Sequence, residues 1–250
     1  MMRSLGLTGD ERAVSDVLAF IIVFSIIITS VALVYGTGFS SIREVRDGEQ
    51  KANAERALEA VALSMSDIVK GEAKRRGGSL NLGGGQLQVD ESTDIEVLVD
   101  GTEVTPDPNP VGSFEFYVDD TAVAYESGGV FRRDGTASVT VLQPTMTCTS
   151  ESAVVSLVAV TSSQGAIGST DNVEVTMEEQ STELLHAETG SSIGVQVDVA
   201  DTEYAPAWER TLDEQGWNID SIGSNSVETS CSTDRVVVRL VVIEMTYGSP

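Results

Sequence analysis

A chain of 250 residues with 39 acidic against 15 basic side chains carries a formal charge of −24. That balance excludes attachment to nucleic acid or anionic lipid through a basic patch, because the summed field repels polyanions. An apolar share of 41% excludes a wholly disordered acidic tail and leaves ample material for a core.

The leader, MMRSLGLTGDER, sets two arginines against two acids and ends next to a long uncharged run, Val17 to Tyr35, reading VLAFIIVFSIIITSVALVY. At about 1.5 Å per residue the run forms a helix of roughly 28 Å, enough to cross a bilayer's hydrocarbon core. A removable secretory signal has a basic start, a shorter apolar stretch and a small-residue cleavage site. The balanced leader and the longer run favour a retained membrane helix, with Gly36-Thr37-Gly38 as the alternative cleavage site.

Beyond Phe39 the pattern becomes amphipathic. Leu58, Val61, Ala62, Met65, Ile68 and Val69 recur at three- and four-residue spacing and mark one apolar stripe. Lys51–Glu55 and Glu72–Arg76 are opposite charges four apart on the polar side. The alanine-rich NAERALEAVA favours helix, and Gly77-Gly78 is the expected stop. The stripe has two destinations open to it, the chain's own head or neighbouring subunits.

From Ser79 the period changes to two. Ile95–Val99, Asp100-Gly101 and Thr102–Val104 read as a hairpin. Phe114, Phe116 and Val118 alternate with polar neighbours, and Val123 and Tyr125 follow an Asp119-Asp120 turn. Ile193, Val195, Val197 and Val199 alternate cleanly, whereas Val154–Val160 and Val236–Ile243 are dense enough for central strands. Pro206 to Trp217 reads as one short helix, with proline in its first turn and Trp208 and Leu212 on one face. The expected class is α+β: a long N-terminal membrane helix, then an antiparallel, sandwich-like β-rich head with one short helix.

The excess charge belongs to that head. Residues 1–76 hold ten acids and ten bases, whereas 77–250 hold 29 acids against five arginines and no lysine. A solvated carboxylate surface is therefore the default reading of nearly every Asp and Glu. Cys148 and Cys231, the only cysteines, are a disulfide candidate if the head faces an oxidising exterior. Two cysteines do not make a zinc framework. His186 is alone, Gly83-Gly84-Gly85 lacks the lysine and helix of a phosphate loop and reads as a hairpin loop, and Asp198, Asp201 and Glu203 are only a weak calcium pattern. No catalytic, cofactor or metal residues are assigned, and the expectation is a protein that is not an enzyme and needs no cofactor.

Arg12-Ala13-Val14-Ser15, followed directly by the apolar helix, resembles the N-terminus of archaeal type IV pilin-like proteins, especially haloarchaeal ones. The excess of Asp and Glu over Lys likewise resembles proteins of extreme halophiles. GDERAVSDVLAFIIVFSIIITSVALVYGTGF with the NAERALEA helix is similar to an uncharacterised haloarchaeal pilin-like family. The resemblance implies processing beside Ala13 by a prepilin-type peptidase, with Arg12, Ala13 and Val14 at the processing site. Asp16 stands where that pattern usually has proline. It is read either as an acid that pairs with a neighbouring subunit's new amine or as a helix cap at headgroup level.

These readings divide the chain into a leader (1–13), a transmembrane helix (14–39), an amphipathic helical stalk (40–78) and an acidic extracellular head (79–250). Implied partners are the lipid bilayer, like or related pilin subunits and the peptidase, and no nucleic acid. The implied function is a structural or accessory subunit of an archaeal cell-surface filament or related assembly. The alternative is a single-span, membrane-anchored binding module that does not polymerise.

Overall fold

The computed structural model describes residues 10–106, 111–118 and 120–248, with side chains along the first helix described at 15–36 and from 48 onward. The chain divides into two compact units, residues 1–49 and 50–250. Helix α1 (Asp10–Val69) contributes to both.

In the first unit, Ser15–Gly36 is a 22-residue stretch long and apolar enough to cross a membrane, and none of it is buried. Every large apolar side chain from Val17 to Tyr35 is at least 52% exposed. The Ser30 hydroxyl donates back to the Ile26 carbonyl at 2.6 Å, which satisfies its proton within the helix.

The second unit begins with the rest of α1. Its strands follow in chain order: β1 (Arg75–Asn81), β2 (Gln86–Asp90), β3 (Asp94–Val99), β4 (Thr102–Glu103), β5 (Ser113–Val118), β6 (Thr121–Glu126) and β7 (Gly129–Asp134). Then come β8 (Ala137–Leu142), β9 (Met146–Cys148), β10 (Ala153–Thr161), β11 (Ile167–Gly168) and β12 (Asn172–Ala200). Helix α2 (Ala205–Glu214), β13 (Asn218–Ile222) and β14 (Val227–Gly248) complete it. Among the described residues one sheet runs β4-β3-β12-β14-β10-β9, with β1 also on β12 and β13 on β14, and a second runs β11-β2-β5-β6-β7-β8. The α+β class and the β-rich head expected from the sequence are therefore present. One pair departs from the antiparallel expectation, because β10 and β14 run parallel from Ala153↔Val236 to Thr161↔Glu244. Such a pair needs a long crossover, and β11, β12, α2 and β13 all lie within it.

The apolar stripe of α1 goes to its own head. Ala54, Leu58, Val61, Ala62, Met65 and Ile68 are buried in one cluster. That cluster includes Leu87, Phe114, Phe116, Val123 and Val130 from one sheet and Val158, Val160, Val241, Ile243 and Met245 from the other. The helix thus covers a surface to which both sheets contribute. A second cluster gathers Ile95, Val97, Val195, Val197, Val236 and Val238 with Phe131, Tyr204, Trp208 and Leu212. Strands β10 and β14 feed both clusters, which is why Val154–Val160 and Val236–Ile243 are dense apolar stretches interrupted only by Ser156 and Arg239.

Several local expectations need correction. The helix stops at Val69, well before Gly77-Gly78, and those two glycines lie inside β1. The stop is Gly71, at φ +76°, whose N–H reaches the Ile68 carbonyl at 2.8 Å. A glycine in left-handed conformation just past the last apolar turn is the common helix ending. Gly83-Gly84-Gly85 is not a hairpin loop, because β1 pairs with β12 while β2 pairs with β5, so this segment carries the chain between the sheets. Lys51 and Glu55 do not pair with each other: Lys51 Nζ reaches Asp134 at 3.0 Å and Glu55 meets Arg132 of β7. Arg76 pairs with Asp67 at 2.9 Å rather than with Glu72. The Asp100-Gly101 hairpin is present, with both residues at positive φ and Val99 opposite Thr102. Asp119 lies outside the described residues.

Leu58→Ala and Met65→Ala are expected to cost about 2–5 kcal/mol each by leaving cavities. Leu63→Ala, at a position 64% exposed, should change stability by no more than about 0.5 kcal/mol. Denaturant unfolding of the detergent-solubilised chain, followed through buried Trp208 and Trp217, measures this. Equal effects at all three positions would mean the stripe is not packed on the head.

Candidate functional site

Two features stand out beyond ordinary packing: the uncovered apolar helix of the first unit, and a buried polar centre in the second. Arg12, Ala13 and Val14, the expected processing residues, fall within the backbone range of α1, but their side chains lie outside the described residues. Asp16 is exposed. It sits inside α1, which spans Asp10–Val69 in the uncut chain.

In the second unit the base of the α1 stripe is bolted to β7. Arg132 contacts Glu55, and its Nε lies 3.1 Å from Asp134. Asp134 also accepts from Thr121 Oγ1 at 2.5 Å, and this bond with the nearby Lys51 and Arg132 holds its carboxyl below the usual range. Gln50 Nε2 donates to the Gly83 carbonyl at 2.8 Å. At the far end Arg239 Nη1 donates to the Val69 carbonyl at 3.2 Å, a cation satisfying a helix C-terminus.

The buried centre is built on Glu126, the last residue of β6, which is 1% exposed. Trp208 Nε1 on α2 donates to its Oε2 at 2.7 Å. Thr202 Oγ1, in the turn before α2, donates to Oε2 at 2.9 Å, and Thr93 Oγ1, just before β3, donates to Oε1 at 2.9 Å. Burial pushes the Glu126 carboxyl up to about 7 against these three donors, with Glu115 adding repulsion. Glu115 on β5 is 3% exposed; burial raises it too, while Tyr117 and Gln88 donate to it. Tyr204 feels the charges of Glu115, Glu126 and Arg133, and its hydroxyl is buried and unpartnered among the described residues. Arg133 is engaged by Glu203 at 2.5 Å.

The sequence reading missed this centre. Its one visible signal is that Glu115 and Glu126 stand in otherwise apolar or β-forming strands, SFEFYV and TAVAYE. In a chain this acidic that signal is submerged. The weak calcium pattern does not assemble: Glu203 is committed to Arg133, and no group of three or more metal-type side chains is poised together among the described residues. His186 lies 3.1 Å from Glu188 at the surface. The sulfurs of Cys148 and Cys231 are at bonding distance, 2.05 Å, tying β9 to β14 across 83 residues.

A family of unknown function, DUF7289, matches residues 12–246 of this sequence. The chain belongs to that family. The match takes in the apolar helix and the head together, so DUF7289 comprises both rather than the head alone. No curated protein and no solved structure matches the chain.

Replacing both Cys148 and Cys231 by serine should lower the head's unfolding free energy by about 4 kcal/mol, the loop-closure entropy of a cross-link of this span. The same loss should follow reduction of the wild-type chain. A denaturation midpoint that does not respond to reductant would mean the two sulfurs are not bonded in the protein as isolated.

Proposed function

We propose that this chain is a pilin-like structural or accessory subunit of an archaeal cell-surface assembly, anchored by its N-terminal helix with the head outside the cell. The observation that supports the reading is the division of apolar surface between the two units. The head buries its large side chains in two clusters, whereas Val17–Tyr35 presents its entire circumference uncovered. Removing each such side chain from water is worth about 1.5–3 kcal/mol, so this helix takes lipid or other helices as its surroundings. The Arg12-Ala13-Val14-Ser15 sequence, next to an apolar segment that stays on the mature chain, adds the expected processing step. The acidic head suits a hydrated surface in high salt.

The same helix also serves the second reading, a single-span anchored module whose head binds a ligand without polymerising. The processing step separates the two. Intact mass and the N-terminal peptide of membrane-extracted protein from the native host should show a chain that starts at Val14. An uncut leader would favour the anchored module, and a start beyond Gly38 would mean ordinary secretion and end both readings. Ile22→Asp or Ile27→Asp should abolish stable membrane residence and any filament yield; unchanged yield would count against helix-mediated assembly.

A further inference from the structure

We propose that Glu126 is a proton-operated latch that holds the α2 insertion, residues 201–217, onto the rest of the head. One carboxyl joins four separate parts of the chain: β6 through its own backbone, the segment before β3 through Thr93, the turn entering α2 through Thr202, and α2 itself through Trp208. Thr202 Oγ1 in turn accepts the Tyr204 N–H at 3.0 Å, so the first turn of the insertion is fixed by the same centre. All three side chains that bond to Glu126 are uncharged. The ionisable groups facing it are Glu115 from β5 and Tyr204 from the insertion, and Arg133 on β7, the cation beside Tyr204, is held by Glu203. Loss of the proton leaves a buried negative charge beside a second carboxyl, offset only by the three donated hydrogen bonds and by no cation in contact.

The insertion is also held by apolar packing of Tyr204, Trp208, Leu212 and Trp217 in the core, by the Glu203–Arg133 ion pair, and by polar ties at its edges. Ser138 Oγ accepts the Ala207 N–H at 3.0 Å, and Thr140 Oγ1 lies 2.6 Å from Thr211 Oγ1. Gln215 Oε1 accepts the Met146 N–H at 3.1 Å, and Gln143 Nε2 reaches Glu214 at 2.8 Å. None of these neutralises Glu126. Lifting α2 would hydrate the carboxyl and return it from about 7 toward its ordinary value of 4.5. The docked form therefore binds one more proton than the open form across that interval. By linkage, docking is strongest below the ordinary carboxylate range and weakens as pH rises through about 7.

Hydrogen exchange on the full chain in detergent at pH 5 and pH 8, corrected for intrinsic rates, tests the latch. Protection of the α2 amides should fall by about two orders of magnitude between the two pH values, while β10 and β14 stay protected. Glu126→Gln removes the titration and should leave α2 protection independent of pH. Thr93→Val removes one donor to the charged form and should move the wild-type midpoint upward. A merely structural role would instead lower protection at every pH and leave the midpoint in place. The proposal is overturned if α2 exchanges only together with β10 and β14, or if Glu126→Gln keeps the wild-type pH dependence. Should Glu126→Gln fail to fold, an unmoved midpoint in Thr93→Val overturns it equally.

Discussion

The burial of one face of α1, from Ala54 to Ile68, is the constraint on which the head depends. That face lies over side chains from both sheets, Phe114 and Phe116 on one and Val241 and Ile243 on the other. Two sheets that share a helical cover cannot shift against each other without exposing it. The ion pairs at its base, Arg132–Glu55 and Lys51–Asp134, are partly exposed, so their worth is at most about 1 kcal/mol each. They orient the helix on β7. The apolar contacts hold it there.

The opposite core depends on the α2 insertion in a different way. Trp208 packs on Phe131 with ring centroids 4.7 Å apart, and its indole N–H reaches Glu126. Apolar contact and hydrogen bond thus come from the same side chain, so a change at the carboxyl is felt in the packing of α2. On the exit side of α2, Trp217 Nε1 donates to the Met146 carbonyl of β9 at 2.7 Å, and Cys148 of the same strand is bonded to Cys231 of β14. The insertion thus leaves beside a covalently fixed strand and enters through one titratable group.

Much of this was legible in local pattern. The Val17–Tyr35 run, the period-four stripe, the hairpin at Asp100-Gly101 and the helix begun by Pro206 are each written in neighbouring residues, where period and turn chemistry act directly. The helix stop was misplaced because two glycine signals compete, Gly71 and Gly77-Gly78, and only the pairing of β1 with β12 decides between them. The expected Lys51–Glu55 and Glu72–Arg76 pairs gave way for the same kind of reason. Partners in β7 and within α1 offered better-placed charges than the next turn of the helix.

By itself the sequence determined the class of the chain: one uncovered apolar helix, an amphipathic continuation and an acidic β-rich head. Periodicity, charge and the conformations open to glycine and proline act over a few residues, and they need no knowledge of what lies opposite. Only the tertiary structure decided that β10 and β14 run parallel, that the glycine triplet passes between sheets, and that Glu126 is enclosed by Thr93, Thr202 and Trp208. Those residues stand tens of positions from Glu126, and in so acidic a chain a buried glutamate has the same local signature as a solvated one. Burial, not residue type, sets its chemistry, and burial is a property of the folded whole.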